Sequence, residues 1–221
     1  MTTVLRAVLQ ARVVRSDDWW GATAALRADD RPAFERAVAL GAAADRLGYA
    51  FLGGYAAAVT VLDPAVRGLG ALCATEAGGG HPRAMHTTLR DGVLNGTKCF
   101  VTGGPLADTL LVVAKVGEAE GRPRLQVARL SARASGVTHG AGPELTFVPE
   151  VPHGTVTFTD ARVEAVLEGD GYERFLKPFR TVEDLHVFGA ILSCVFSNGR
   201  EALPLAAQAQ QDPVLFSQGN E

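Results

Sequence analysis

Three regimes of hydrophobic spacing divide the chain. Across residues 31–62 the apolar positions Phe34, Ala37, Val38, Leu40, Ala44 and Leu47 recur at intervals of mostly three and four in an alanine-rich background, the spacing of one helical face made of good helix formers. It predicts one or two packed helices, closed by Asp63-Pro64. With "VLRAVLQARV" before them and "PAVRGLGALC" after, the first seventy residues read as a small all-helical module, joined across "DDWWGATAALRADD".

From about residue 84 the period shortens. "MHTTLR", "VLNGTKCFVT", "TLLVVAKV", "RLQVARLS" and "GTVTFTDARV" are β-rich runs, separated by Asp91-Gly92, Gly103-Gly104-Pro105, "GEAEGRP" and the long "GVTHGAGPELTFVPEVPHG". Strands with no helices between them predict an antiparallel barrel or sandwich and leave no room for a doubly wound sheet. After "LEGDGY" the helical period returns at "TVEDLHVFGAILSCVFSNGREAL", where Leu185, Phe188, Ile191, Leu192 and Val195 form an apolar stripe. Thr181 and Asp184 resemble a capping box at its start, and residues 206–221 read as a loose polar tail. The expected class is α+β: a helical module over 1–70, a β-barrel domain over 71–167, and a C-terminal helix with its tail over 168–221.

Composition narrows the function classes. At 221 residues, 47% hydrophobic and 20% charged, the chain has the make-up of a globular protein with one sizeable core. A net charge of −3 with scattered Lys and Arg favours neither nucleic acid nor an anionic membrane as partner. The apolar run "YAFLGGYAAAVTVL" is too short to span a bilayer, and arginines interrupt the N-terminal apolar stretch where a secretory signal would be uninterrupted. Cys73, Cys99 and Cys194 form no CxxC pair, which suits a reducing, cytoplasmic setting and small buried thiols. His81, His86, His139, His153 and His186 share no helical turn, so no metal is expected. "GLGALC" lacks the third glycine and the βαβ context of a dinucleotide fingerprint.

Two stretches remain, "LCATEAGGGHP" (72–82) and "LNGTKCFVTGG" (94–104). Cys73-Ala74-Thr75-Glu76-Ala77-Gly78-Gly79-Gly80 and Asn95-Gly96-Thr97-Lys98-Cys99-Phe100-Val101-Thr102 resemble two ordered segments of the acyl-CoA dehydrogenase superfamily, C-x-T-E-x-G-x-G and N-G-x-K-x-(aromatic)-(apolar)-T. The resemblance covers about residues 65–200. It implies a bound FAD, with Cys73, Ala74 and Thr75 toward the pyrimidine end of the flavin, Phe100 against the ring and Thr102 near N5. It also implies a thioester substrate, acyl-CoA or a related small molecule, beside Gly79, Gly80, His81 and Arg180. A flat electron-poor ring needs an apolar or aromatic wall, and a hydride-accepting edge needs a fixed polar neighbour. Glycines let a backbone approach a ligand closely.

The same resemblance gives Glu183 the role of the carboxylate base that removes a substrate α-proton. An acid in the first turn of a helix also satisfies capping and dipole arguments, so both readings of Glu183 stand at this point. His81-Pro82 replaces the family's usual Ser-Asp, and most of a C-terminal four-helix domain has no counterpart. The expectation is a flavin-dependent oxidoreductase working as a homo-oligomer, or with a longer homologous subunit. The alternative is a relative that keeps the β domain for binding or assembly without flavin.

Overall fold

The computed structural model describes residues 12–143, 145–146 and 148–211. Within them the 31–62 periodicity resolves into two helices, after two four-residue helical turns, α1 (Trp19–Ala22) and α2 (Ala24–Arg27). They are α3 (Ala33–Ala43) and α4 (Leu47–Leu62). No Gly or Pro marks the break. Ala44 is extended, and Val14 lies parallel to it, its N–H donating to the Ala43 carbonyl at 2.8 Å, so a tertiary contact and not a local signal ends α3. Trp19 is fully buried, stacked on Tyr49 at 5.3 Å, with its indole N–H donating to that same carbonyl. The expected helix over "VLRAVLQARV" lies almost wholly outside the described residues.

Among the described residues, eight strands make one curled sheet, a half-barrel. They are β1 (Gly70–Cys73), β2 (Thr88–Arg90), β3 (Val93–Thr102), β4 (Thr109–Ala119), β5 (Arg122–Ser131), β6 (Val137–Ala141), β7 (His153–Arg162) and β8 (Ala165–Val166). The order runs β6-β7-β3-β2-β4-β5-β8, with β1 beside β4. Most pairings are antiparallel, as expected, but β1 and β2 both meet β4 in parallel. The Asp91-Gly92 and Glu120-Gly121 turns hold both central residues at positive φ, the conformation of a tight two-residue hairpin that glycine favours.

Three strands escape the sequence reading, and one helix does not exist. "PAVRGLGALC" holds a turn and then β1, because Ala71 and Cys73 are drawn into the sheet interior beside β4. Strand β6 pairs with β7 from inside the Gly- and Pro-rich segment, four of its five residues exposed, so it carries no hydrophobic alternation. Strand β8 is two residues long.

Strand β4 is apolar on both faces because both are covered. Leu110 and Val112 point into the curl with Leu94, Val101, Leu130 and Phe158, while Leu111 and Val113 meet Tyr55, Val59, Phe175, Phe179 and Val187 of the helices. A strand buried on two sides reads as a continuous run. The long helix α5 (Lys177–Gln211) follows a π-helical turn, Gly171–Leu176, and packs on α3 and α4. At Gly41 and Gly54 the backbones of Ala190 and Val187 occupy the place of a Cβ, so only glycine permits this approach.

Two expectations for α5 are corrected. The side chain that caps it is Asp170, which accepts from the N–H groups of Tyr172 and Glu173, both at 2.9 Å; Thr181 and Asp184 lie beyond the first turn and form no capping box. The helix also continues through Pro204 to Gln211. Of the expected loose tail, residues 206–211 are therefore helical, and 212–221 lie outside the described residues.

One polar interaction ties the sheet together behind these elements. Lys98 of β3 is fully buried and donates to Glu76 at 2.8 Å and to the Ala74 carbonyl at 3.2 Å. Glu76 also accepts from the N–H groups of His86 and Thr87. Burial alone would raise the Glu76 carboxyl, but Lys98 and the two amides outweigh it and hold it below its ordinary value. Removing one member of a buried pair strands the other. Lys98→Met should therefore cost about 3–5 kcal/mol of stability, read as the shift in a urea unfolding transition.

Candidate functional site

A cleft of about 750 Å³ opens where β1, β3 and the start of the C-terminal helical segment converge. It is lined by Tyr55, Leu72 and Ala74, by Thr75, Phe100 and Thr102, and by Phe179, Arg180 and Glu183 of the helix. The Leu72 N–H donates to the Tyr55 hydroxyl at 2.9 Å, which fixes β1 to α4.

Phe100 owes its position to a break in β3. The register with β7 shifts between Lys98 and Val101, and the Cys99 N–H leaves the ladder to donate to the Thr75 carbonyl at 2.8 Å. At this bulge Phe100 has φ +52°, which costs a residue with a Cβ, and its ring is 57% exposed. The side chain is thus outside the core and in the cleft. Strain at an exposed aromatic needs a reason that packing does not supply.

The glycine stretch makes a tight turn. Glu76 and Gly79 exchange two backbone hydrogen bonds, 3.1 and 2.8 Å, and Gly79 has φ +102° with open space where a Cβ would stand. Gly80 and His81 then line the cleft, while Gly79 does not. Cys73 is placed elsewhere: its side chain is fully buried in the sheet interior, and burial pushes its thiol up to about 12.

Glu183 sits more than a turn inside the helical segment, so the Asp170 cap removes the capping reading. Burial, with a smaller contribution from the Asp184 charge, raises its carboxyl above the ordinary value. Tyr55 and Glu183 are close enough that the glutamate charge also raises the phenol, after the larger effect of burial. Lys177 is held by Glu173 at 2.8 Å. Sequence reasoning missed Tyr55, Leu72, Tyr172 and Phe179, which carry no motif; only the core periodicity of α4 marks Tyr55. Among the described residues no three His, Cys, Asp or Glu gather as a metal set, and no helix is long and apolar enough to cross a membrane.

A second recess of about 590 Å³ adjoins the cleft and shares His81, Pro82 and Tyr172 with it. Arg83, Arg122 and Arg124 line it, all exposed. Its acids are committed: Asp170 to the helix cap and Glu173 to Lys177.

Residues 71–161 match the family model described as acyl-CoA dehydrogenase, middle domain. These residues, the greater part of the β domain, are similar to that middle domain. Both motif segments fall inside the match. Solved structures similar to the whole chain include an FAD-dependent dehydrogenase (17% identity, TM-score 0.66, covering 91% of this chain and 64% of that one). The FAD complex of PigA is also similar (17%, 0.62, 93% and 62%), as is an acyl-CoA dehydrogenase from Geobacillus kaustophilus (18%, 0.61, 87% and 60%). At these identities the likeness is one of fold, and this chain spans less than two thirds of each. A search of curated proteins found no match.

Within the matched residues, Phe100 separates strain from packing. Phe100→Gly should stabilise the chain by about 0.5–1 kcal/mol, the relief of a left-handed Cβ less the unfolded-state entropy of glycine, while Phe100→Ala changes little. Urea unfolding of both variants checks this.

Proposed function

We propose that the chain is an acyl-CoA dehydrogenase-like, flavin-dependent oxidoreductase that removes an α-proton and a β-hydride from an acyl thioester. The observation that carries this reading is that Thr75, Phe100, Thr102 and Glu183 line one and the same cleft. The donor set suits a flavin: an exposed aromatic for the ring face, apolar lining side chains, and two threonine hydroxyls for a polar edge. Thr75, Thr102, Phe100 and Ala74 would hold FAD, which when bound supplies the hydride acceptor. The FAD named for two similar structures supports the assignment.

Glu183 takes the α-proton as a carboxylate and keeps it. Its raised value brings it nearer to neutral pH, the direction a general base needs. The three unpaired arginines of the adjoining recess suit the phosphates of a CoA thioester, which would run from the recess past His81 and Tyr172 into the cleft. Arg180, exposed at the cleft wall, adds a fourth cation.

The second reading is an assembly subunit without flavin. It is favoured by the outward face of α5, where Leu185, Phe188, Leu192 and Val195 are each more than half exposed and Ile191 alone of the stripe is partly covered. A patch of this kind invites a homologous or second subunit.

The visible spectrum of the purified chain, before and after excess FAD, decides between them. Retained flavin bands that an acyl-CoA bleaches support the oxidoreductase; a colourless chain that retains no FAD selects the assembly subunit. Glu183→Gln should keep the bands and lose the bleaching. The reaction needs the carboxylate, so its rate should rise with pH through the raised Glu183 value, and Asp184→Asn, by removing a like charge, should move that limb to lower pH. The arginines give a separate test: Arg122→Gln/Arg124→Gln should raise KM for an acyl-CoA about tenfold or more with kcat nearly unchanged.

A further inference from the structure

Four arginines line a cleft of about 780 Å³ on another part of the molecule, between the α2–α3 corner and the Pro64–Gly68 loop. Arg31 is neutralised by Asp29 at 2.6 Å. The other three hydrogen-bond only neutral acceptors. Arg36 donates to the Thr60 hydroxyl at 2.6 Å and to the carbonyls of Asp29 and Arg31. Arg27 donates to the Trp20 carbonyl and lies 3.9 Å over the Trp20 ring. Arg67 donates to the carbonyls of Pro64 and Val66 at 2.9 and 3.0 Å.

Arg27 and Arg36 are both half-buried, and burial disfavours their charged forms. Asp108 and Asp18 ease the cost at Arg27 from beyond ion-pair distance. Asp29 does the same at Arg36. A partly buried cation without a paired carboxylate is costly, yet Arg27 and Arg36, like the exposed Arg67, are held in place by carbonyls, a hydroxyl and an indole face. They are preorganised, with N–H groups left over, since each guanidinium has five. Asp30 is the other carboxylate at the cleft and is exposed, so four arginines face two aspartates.

We propose that this cleft binds a compact oxyanion, a phosphate or pyrophosphate group, either free or carried on a nucleotide. Arg36 and Arg27 supply fixed donors from the wall and Arg67 closes from the rim, the fork geometry that suits phosphate oxygens. The site shares no lining residue with the Glu183 cleft, so it stands or falls independently of the flavin reading.

Calorimetric titration of the full chain with inorganic phosphate, pyrophosphate and ADP, at constant ionic strength, tests it. Saturable binding of at least one probe is expected, weakened about tenfold or more in Arg36→Gln and in Arg67→Gln, and persisting in Arg122→Gln/Arg124→Gln, which removes any phosphate binding at the recess beside the Glu183 cleft. Arg67 is exposed and bonds only its own loop, so that variant reports even if Arg36→Gln unfolds. ADP binding tighter than phosphate identifies a nucleotide, and equal affinities identify the free oxyanion. No saturable heat with any probe, affinity unchanged in Arg67→Gln, or loss confined to Arg122→Gln/Arg124→Gln overturns the proposal.

Discussion

The candidate site depends on one buried charge pair. Lys98 reaches from β3 to Glu76 and the Ala74 carbonyl, and Glu76 gathers the amides of His86 and Thr87. Three chain segments therefore meet at one carboxylate. An ammonium without exposure is tolerated only where a counter-charge and acceptors replace water, so each segment is held to the others. Thr75 lies between Ala74 and Glu76, and Phe100 lies two residues beyond Lys98. Both cleft-lining residues are carried on backbone that the pair anchors. A pair of aliphatic residues would fill the same volume but would leave the two amides and the Ala74 carbonyl without partners.

That anchoring explains how the bulge at Phe100 persists. A residue with a Cβ leaves the left-handed region unless its surroundings fix it there. Here Lys98 is pinned on one side, Val101 is packed in the sheet interior on the other, and the Cys99 amide is taken by the Thr75 carbonyl. With both flanks fixed, the intervening turn of backbone has one way to project its ring, outward into the cleft. The strain of the site is thus supported by the most buried polar contact of the sheet.

How much of this was legible follows from where the determinants lie. The β3 and β4 runs, the Asp91-Gly92 turn and the alanine-rich helices are local patterns, and the spacing of apolar residues reports them directly. Strand β1 was hidden because its four residues carry no alternation; it is a strand only because β4 offers an edge and Tyr55 receives the Leu72 amide. Strand β6 was hidden for the opposite reason, being exposed along most of its length. The two motifs located Thr75, Phe100 and Thr102, and the structure brings them into one cleft with Glu183. They said nothing of Tyr55, Phe179 or the free arginines, which arrive from distant parts of the chain by tertiary packing alone.

The position of Glu183 shows the same contrast from the other side. As a first-turn acid it would have been a cap, stabilised by the helix and solvated at its end. The Asp170 cap and the π-helical turn move the helix start upstream to Gly171, so Glu183 emerges from the helix side near Tyr55. There it gains no capping hydrogen bond, and burial with Asp184 opposes its ionisation. An acid whose folded value is raised destabilises the fold as pH rises above its unfolded value, since the unfolded chain sheds the proton more readily. A glutamine would avoid that cost in the same volume. The fold thus keeps at this position a side chain whose ionised form opposes stability, which is what the proposed role of Glu183 as a base would account for.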